Sequence, residues 1–149
     1  MQAVDQNRLM GEALDMAREA LAAGDHPFGS VVVTASGVVA ERNRVNSTSD
    51  PTAHSEVMAI RTAAARWGVA SLRGALLLTT FEPCPMCLGS ILEAGVATLV
   101  IGARRTVGEA PLGDYTAESL IAMMGRTGDI TIGQGVLAGP IADFYATAG

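Results

Sequence analysis

Aromatic and charged residues are scarce in this sequence, and long hydrophobic runs are missing. Aromatics make up 4% and charged residues 17%, against 49% hydrophobic residues, so a folded core must be built from aliphatic side chains. No apolar run reaches the roughly 18 residues that a membrane-spanning helix needs. The N-terminal stretch carries charges throughout, unlike a signal peptide. We therefore expect a cytoplasmic protein without a membrane partner, folded as a single domain over residues 1–149.

Positive charge is also in short supply. Ten Arg and Lys residues stand against fifteen Asp and Glu residues, which gives a formal net charge of −5. Binding of nucleic acid through a broad surface needs clustered basic residues. The C-terminal region offers only Arg126 after Arg105. The sequence therefore argues against a nucleic-acid partner.

Only two cysteines are present, Cys84 and Cys87, in the stretch PCPMC. A chain of this length can bury a core without disulfides, and a reducing cytosol disfavours them. A Cys-x-x-Cys pair in that setting is more typical of a metal site or a redox element. The pair alone leaves both interpretations open.

Apolar periodicity predicts a chain in which helices and strands alternate. The sequence predicts a hairpin with its tight turn at 35–37, a loop over 43–52, and a helix capped by Thr52 that runs to Trp67. The other predicted helices cover 6–23, 85–95, 117–124 and 139–146, and the other predicted strands cover 74–80, 97–102 and 129–137. This order implies an α/β fold in three α/β/α layers, with a mixed five-stranded sheet between the helices.

The predicted topology brings two polar motifs together. The helix after His54 crosses the sheet and the next strand returns, so the helix after Cys84 begins at the same edge. Helix N-termini favour thiolates, and His54, Cys84 and Cys87 form a His/Cys/Cys set. Zinc binds such ligands tetrahedrally, and three protein ligands leave a fourth position for water, as in catalytic sites. We predict a catalytic Zn²⁺ in which Glu56 moves protons.

Each of these residues also has an ordinary interpretation. A lone histidine at a helix start is commonly a capping or packing residue, and a first-turn glutamate is commonly solvated. A Cys-x-x-Cys pair also serves in redox proteins, although the chain before it lacks a thioredoxin-like pattern. A structural zinc site would need a fourth ligand. The other histidine, His26, lies in a different region, at the surface or at a pocket mouth.

HSE followed by EPCPMC resembles the H-x-E…P-C-x-x-C signature of zinc-dependent nucleobase deaminases. The chain is similar to the cytidine/deoxycytidylate deaminase superfamily, and most similar to its branch of bacterial guanine deaminases and tRNA adenosine deaminases. PFGSVVV, NRVNSTSDPTAHSEVMAI and FEPCPMCLGSI carry this resemblance over most of the chain. It implies a cytidine-deaminase-like fold, with His54, Cys84 and Cys87 as zinc ligands and Glu56 as the proton shuttle.

The resemblance implies substrate contacts as well. Asn43 matches an asparagine that hydrogen-bonds the substrate ring, and Phe28 lies in a segment that supplies a pocket wall. Asp114, in EAPLGD, matches a substrate-reading aspartate, with Glu109 as the second candidate in that loop. Without the resemblance, Asn43 would be an ordinary loop residue and Phe28 an ordinary core residue. Glu82 is expected to be structural.

The implied reaction is hydrolytic removal of an exocyclic amine from a free nucleobase or related heterocycle of the guanine, modified-guanine or s-triazine type. Ammonia would be released through a zinc-bound hydroxide, since zinc lowers the pKa of bound water towards about 7. Relatives are commonly dimers, so we expect a homodimer with a small-molecule substrate.

Three alternatives remain open. The same chemistry could act on adenosine in tRNA, or on cytosine or cytidylate, and a zinc-binding or redox module could lack deaminase activity. Guanine deaminases of this type extend further and close the pocket with an aromatic residue, whereas this sequence ends IADFYATAG. A more open pocket is therefore expected, with Phe144 and Tyr145 as possible substitutes for that closure.

Overall fold

A mixed five-stranded sheet organises the fold. The computed structural model describes residues 3–148, and within them the strands are β1 (Gly29–Thr34), β2 (Gly37–Arg42), β3 (Leu76–Phe81), β4 (Thr98–Ala103) and β5 (Thr131–Gln134). Their order across the sheet is β2-β1-β3-β4-β5. β1 pairs antiparallel with β2 and β3, whereas β3 with β4 and β4 with β5 are parallel. The predicted mixed sheet is confirmed.

Helices cover both faces of the sheet. They are α1 (Ala3–Ala22), α2 (Val45–Thr48), α3 (Ser55–Trp67), α4 (Pro85–Ala94), α5 (Ala117–Met123) and α6 (Ala138–Ala148), with a 3₁₀ turn at Val69–Leu72. α1 and α6 pack on one face, and α3, α4 and α5 pack on the other. The predicted three α/β/α layers are therefore confirmed. Among the described helices, none is both long and apolar enough to cross a bilayer.

The strand sequences explain why both faces are covered. Successive residues of a strand point to opposite faces, so a run such as VVV or LLL is apolar on both. Val31 and Leu78 are buried under α1 and α6, whereas Val32 and Leu77 are buried under the other helical layer. Each such side chain stabilises the fold by about 1.5–3 kcal/mol when it leaves water.

Gly29 sets how closely α1 approaches β1. A Cβ at this position would lie 2.0 Å from the carbonyl oxygen of Ala13, so a larger residue would push the helix off the strand. This contact fixes the start of β1, and with it the position of Phe28.

α3 begins later than the sequence predicts. Thr52 is expected to be the N-cap, but the structure has His54 there and the helix starts at Ser55. The prediction is wrong because Thr52 lies in a turn in which Asp50 Oδ1 accepts bonds from its amide and hydroxyl, at 2.9 and 2.7 Å. The predicted loop over 43–52 also contains the short helix α2.

Candidate metal centre and adjoining pocket

Five chain segments meet at one edge of the sheet. β3 and β4 run parallel, so both end there, and β1 begins there because it is antiparallel to β3. The N-termini of α3 and α4 complete the group. Ligands of open α/β sheets bind beyond the carboxyl ends of the strands, so this edge is where a site is expected.

Three metal-binding side chains converge at the two helix starts. The donor atoms of His54, Cys84 and Cys87 all lie within 4.8 Å of one another. Nδ1 of His54 is 3.3 Å from Sγ of Cys87 and 3.6 Å from Sγ of Cys84. His54 and Cys84 occupy the N-cap positions of α3 and α4, yet neither side chain makes a capping hydrogen bond. Both side chains therefore point to each other rather than to their own helix.

The cluster stabilises a thiolate. Hydrogen bonding from Cys87, and then from His54, lowers the pKa of Cys84 to about 4 although burial opposes it. Hydrogen bonding to Cys84 raises the pKa of both His54 and Cys87. Thiolate is the form of cysteine that binds metal, and one imidazole nitrogen with two sulfurs is a donor set that zinc prefers. The residues present therefore fit a zinc ion with a fourth position left open.

Glu56 is buried beside this cluster, with 6% of its surface exposed. The hydroxyl of Ser55 donates to Oε1 of Glu56 at 2.8 Å, and the same hydroxyl lies 2.8 Å from Oγ of Ser30. Burial raises the pKa of Glu56, although the Ser55 hydrogen bond acts in the opposite direction. A carboxyl group with a raised pKa is suited to exchanging protons near neutral pH.

An aromatic wall borders the metal cluster. His54, Glu56 and Cys84 line a small pocket of about 40 Å³, together with Phe28, Phe81, Glu82 and Arg105. The rings of Phe28 and Phe81 lie 5.5 Å apart. Tyr145 packs on both rings, at 6.1 and 5.3 Å.

Tyr145 also ties α6 to this wall. Burial raises the pKa of its hydroxyl, which donates to the carbonyl oxygen of Pro27 at 2.7 Å and lies 2.8 Å from Oγ1 of Thr80. α6 therefore supports the wall from behind.

Asn43 is buried next to the pocket but does not line it. The backbone N–H of Asn43 donates to the carbonyl oxygen of Phe28 at 3.0 Å. Its side-chain Oδ1 accepts from the backbone N–H of Val45 at 3.0 Å. Among the described residues, Nδ2 of Asn43 has no hydrogen-bond acceptor. Its predicted contact with a substrate ring stays a prediction, with Nδ2 as the donor.

The structure does not bring Asp114 to the metal pocket. This residue is exposed and lines neither that pocket nor the cavity beside it. Glu109 is also exposed, but it does line the adjoining cavity. His26 is exposed and lines neither space. Glu82 is buried and accepts four hydrogen bonds, which fits the structural role expected of it.

The sequence did not indicate Phe81 or Arg105 as pocket residues, and it offered Tyr145 only as a substitute for the aromatic closure. Phe81 is the last residue of β3 and Arg105 lies two residues after the end of β4. Residues at the carboxyl ends of parallel strands commonly form sites, which is a usable signal. Tyr145 comes from the last helix, and no local pattern in IADFYATAG indicates that it contacts Phe28, more than a hundred residues earlier.

The fold and the metal cluster define a zinc-binding domain, and a comparison with known families agrees. Residues 3–103 match the cytidine and deoxycytidylate deaminase zinc-binding region. The chain belongs to this family, which confirms the resemblance seen in the sequence. The matched region contains the His/Cys/Cys cluster and Glu56, but it ends before Arg104 and the loop that follows.

Individual relatives differ in substrate. The chain is 39% identical over 105 residues to guanine deaminase of Bacillus subtilis, covering 69% of this chain and 67% of that protein. It is 49% identical over 96 residues to tRNA(Ile)-lysidine synthase of Deinococcus deserti. That match covers 63% of this chain and 18% of the relative, so the chain spans only a small part of it.

A solved structure from work on A-to-I editing by tRNA:A34 deaminases superimposes with a TM-score of 0.76 at 30% identity. It covers 91% of this chain and 97% of that one. Similarity to proteins with such different substrates leaves the substrate class open.

Proposed function

We propose that this chain is a zinc-dependent aminohydrolase that removes an exocyclic amine from a free nucleobase or related heterocycle, of the guanine, modified-guanine or s-triazine type. The observation that carries the proposal is the buried Glu56 beside the His/Cys/Cys cluster in one pocket. The reaction would break the C–N bond to the exocyclic amine and consume a water molecule. It would release ammonia and leave a carbonyl group on the ring.

The ligands would come from two helix starts. Nδ1 of His54 and the sulfurs of Cys84 and Cys87 would hold the zinc, and their attachment to the sheet through α3 and α4 would keep their geometry fixed. When bound, zinc would lower the pKa of water and act as a Lewis acid.

Glu56 would move the protons. Ser55 engages Oε1, so we assign proton transfer to Oε2, which has no side-chain hydrogen bond within the described part of the chain. Oε2 would accept the proton of the attacking water and deliver it to a ring nitrogen. It would then take the second proton of that water from the hydroxyl group added to the ring carbon and pass it to the departing amine, which leaves a carbonyl. The raised pKa of Glu56 supports this role, because the carboxyl must hold each proton between its uptake and its release.

The pocket shape supports a planar ring as substrate. Phe28 and Phe81 provide apolar faces against which a ring can stack. Asn43 would donate from Nδ2 to an edge of the ring. Substrate-binding roles for Phe28, Asn43 and Asp114 remain part of this proposal. The same holds for the homodimer, which sedimentation of the zinc-loaded protein would test.

A tRNA substrate is the second candidate, because a tRNA:A34 deaminase structure covers 91% of the chain. The net charge of −5 disfavours it, since phosphate binding depends on basic clusters. We therefore favour small rings.

The decisive experiment measures ammonia release by zinc-quantified protein. The panel contains guanine, adenine, cytosine, 6-substituted guanines, aminated triazines, the matching nucleosides and a tRNA anticodon stem-loop. Glu56→Gln should lower the rate by about 10²- to 10⁴-fold, the usual contribution of a general acid–base, while zinc content stays unchanged. The matched control is Glu19→Gln, an exposed glutamate on the opposite helical layer. A near wild-type rate for Glu56→Gln would refute the mechanism. Release from the stem-loop alone would favour the tRNA candidate.

A further inference from the structure

We propose that Arg105 selects aminated heterocycles that also carry a carboxylate group. This inference rests on the proposed function and names the substrate class more narrowly.

A second space lies beside the metal pocket. A cavity of about 290 Å³ is lined by Phe81, Arg104, Arg105, Tyr115 and the loop over 109–113. Phe81 and Arg105 line both spaces, so the two spaces adjoin each other at these side chains.

The different sizes of the two spaces determine which part of a substrate fits in each. The metal pocket, at about 40 Å³, is small, whereas the adjoining cavity is about seven times larger. A heterocycle would therefore place its amine-bearing edge near Glu56 and the cluster, and would extend its other substituents into the larger cavity. Those substituents would meet Arg105 on the way.

Arg105 is held in place but keeps donors free. Its Nε donates to the carbonyl oxygen of Glu82 at 3.1 Å, and its guanidinium carbon lies 5.2 Å from the centre of the Phe81 ring. Within residues 3–148, neither terminal nitrogen of Arg105 has a hydrogen-bond acceptor, and no carboxylate lies within 4 Å of the guanidinium. A fixed arginine with two free terminal NH₂ groups is suited to binding a planar anion.

The neighbouring arginine shows the contrast. Nε of Arg104 lies 3.0 Å from Oε1 of Glu82, and its terminal nitrogens contact Glu118 and Gln134. Its charge is therefore already balanced inside the protein. Arg105 follows it in the chain yet faces the two cavities with its charge unpaired.

One unpaired cation favours a monoanion. A carboxylate matches the flat end of a guanidinium and carries a single charge. A phosphate dianion would call for a second cation, but Arg104 is occupied and Glu109 adds negative charge to the cavity wall. We therefore infer a carboxylate rather than a phosphate.

The test compares each acid with its methyl ester, which removes the negative charge and adds only a methyl group. The pairs are 9-(carboxymethyl)guanine with its methyl ester and 5-carboxycytosine with its methyl ester, with guanosine monophosphate as the phosphate probe. The quantity measured is the ratio of kcat/KM for the acid to that for the ester. Wild-type protein should prefer the acid, and Arg105→Gln should reduce this ratio by about 10- to 100-fold, as expected for hydrogen bonds to a charged group.

Two further variants sharpen the comparison. Arg66→Gln removes the same charge from an exposed position at the far end of α3, about 15 Å along the helix from the site, and should keep the ratio. Arg105→Lys keeps the charge but lacks the planar fork, so it should reduce the ratio by less than Arg105→Gln.

Binding supplies a readout that does not need turnover. Calorimetry would compare zinc-loaded Glu56→Gln protein with the Glu56→Gln, Arg105→Gln double variant. The double variant should bind the acid more weakly, and its affinity for the ester should change less. Equal kcat/KM for acid and ester, or a preference that survives Arg105→Gln, would overturn the inference. A stronger, Arg105-dependent preference for guanosine monophosphate would overturn the choice of carboxylate. If no ring releases ammonia, the proposed function fails, and calorimetry still decides whether Arg105 binds the carboxylate.

Discussion

Replacing Glu82 with glutamine should destabilise the fold far more than the same change at Glu118, although both residues bind Arg104. Glu82 is 2% exposed, and its carboxylate accepts four hydrogen bonds. Oε1 accepts from Nε of Arg104 and the amide of Arg105, and Oε2 accepts from Nη2 of Arg104 and the amide of Ala117. The carboxylate thus joins the ends of β3 and β4 to the start of α5.

The magnitude follows from counting donors. Glutamine keeps one acceptor oxygen, and its NH₂ group would face two of the four donors. An unsatisfied buried donor costs about 1–3 kcal/mol. Arg104 would also lose its buried partner, but its side chain is 31% exposed and it keeps Glu118, which lowers that part of the cost. We expect Glu82→Gln to lower the free energy of unfolding by about 3 kcal/mol.

Glu118 provides the matched control. Its side chain is 54% exposed, so Glu118→Gln should cost about 0–1 kcal/mol, as for other surface ion pairs. The assay is urea unfolding at pH 7 with free zinc held constant, with slopes compared to exclude a change in the unfolded state. Equal destabilisation by the two variants, or a loss below about 1 kcal/mol for Glu82→Gln, would contradict this account of buried acceptors.

Two further predictions concern pH and metal. Burial opposes ionisation of Asp25, but hydrogen bonds from Ser47, Arg42 and Asn46 outweigh it and lower its pKa. Because the pKa is depressed in the folded state, the stability from Asp25 is present above the unfolded value, about 4, and is lost as pH falls below it. Urea unfolding should therefore show a gap between wild type and Asp25→Asn that is full at pH 7 and shrinks towards pH 2, and a constant gap would contradict the lowered pKa. Stability should rise by about 1.4 kcal/mol for each tenfold increase in free zinc above its dissociation constant. Thermal unfolding at several buffered zinc concentrations should show this dependence for wild type and not for Cys87→Ala. If Cys87→Ala kept the dependence, Cys87 would not be a zinc ligand.

The metal cluster could be predicted from the sequence because each half is a local feature. HSE and PCPMC both stand at helix starts, and the order of helices and strands alone places those starts at one edge. The exact start of α3 could not be predicted, because the turn at Asp50 competes with Thr52 for the capping role. That competition depends on side-chain hydrogen bonds that a residue pattern does not specify.

The residues around the metal pocket and the adjoining cavity were harder to predict. Asn43 and Phe28 were identified through a family motif. Phe28 lines the metal pocket, whereas Asn43 does not line it and donates its backbone N–H to the carbonyl oxygen of Phe28. Asp114 came from a weaker likeness in a loop, and the structure leaves it exposed. Loop positions depend on tertiary packing more than on local sequence, which is why that part of the site did not follow from the pattern.

By itself, the sequence determined the order of helices and strands, the mixed sheet, and the chemical types that meet at the metal. These follow from periodicity and from residues within a few positions of one another. Only the tertiary structure decided which of two consecutive arginines is free. Arg104 and Arg105 have the same chemistry and adjacent positions, but Glu82 and Glu118 reach Arg104 from distant segments and balance its charge. Long-range contacts of that kind leave Arg105 to face the cavities.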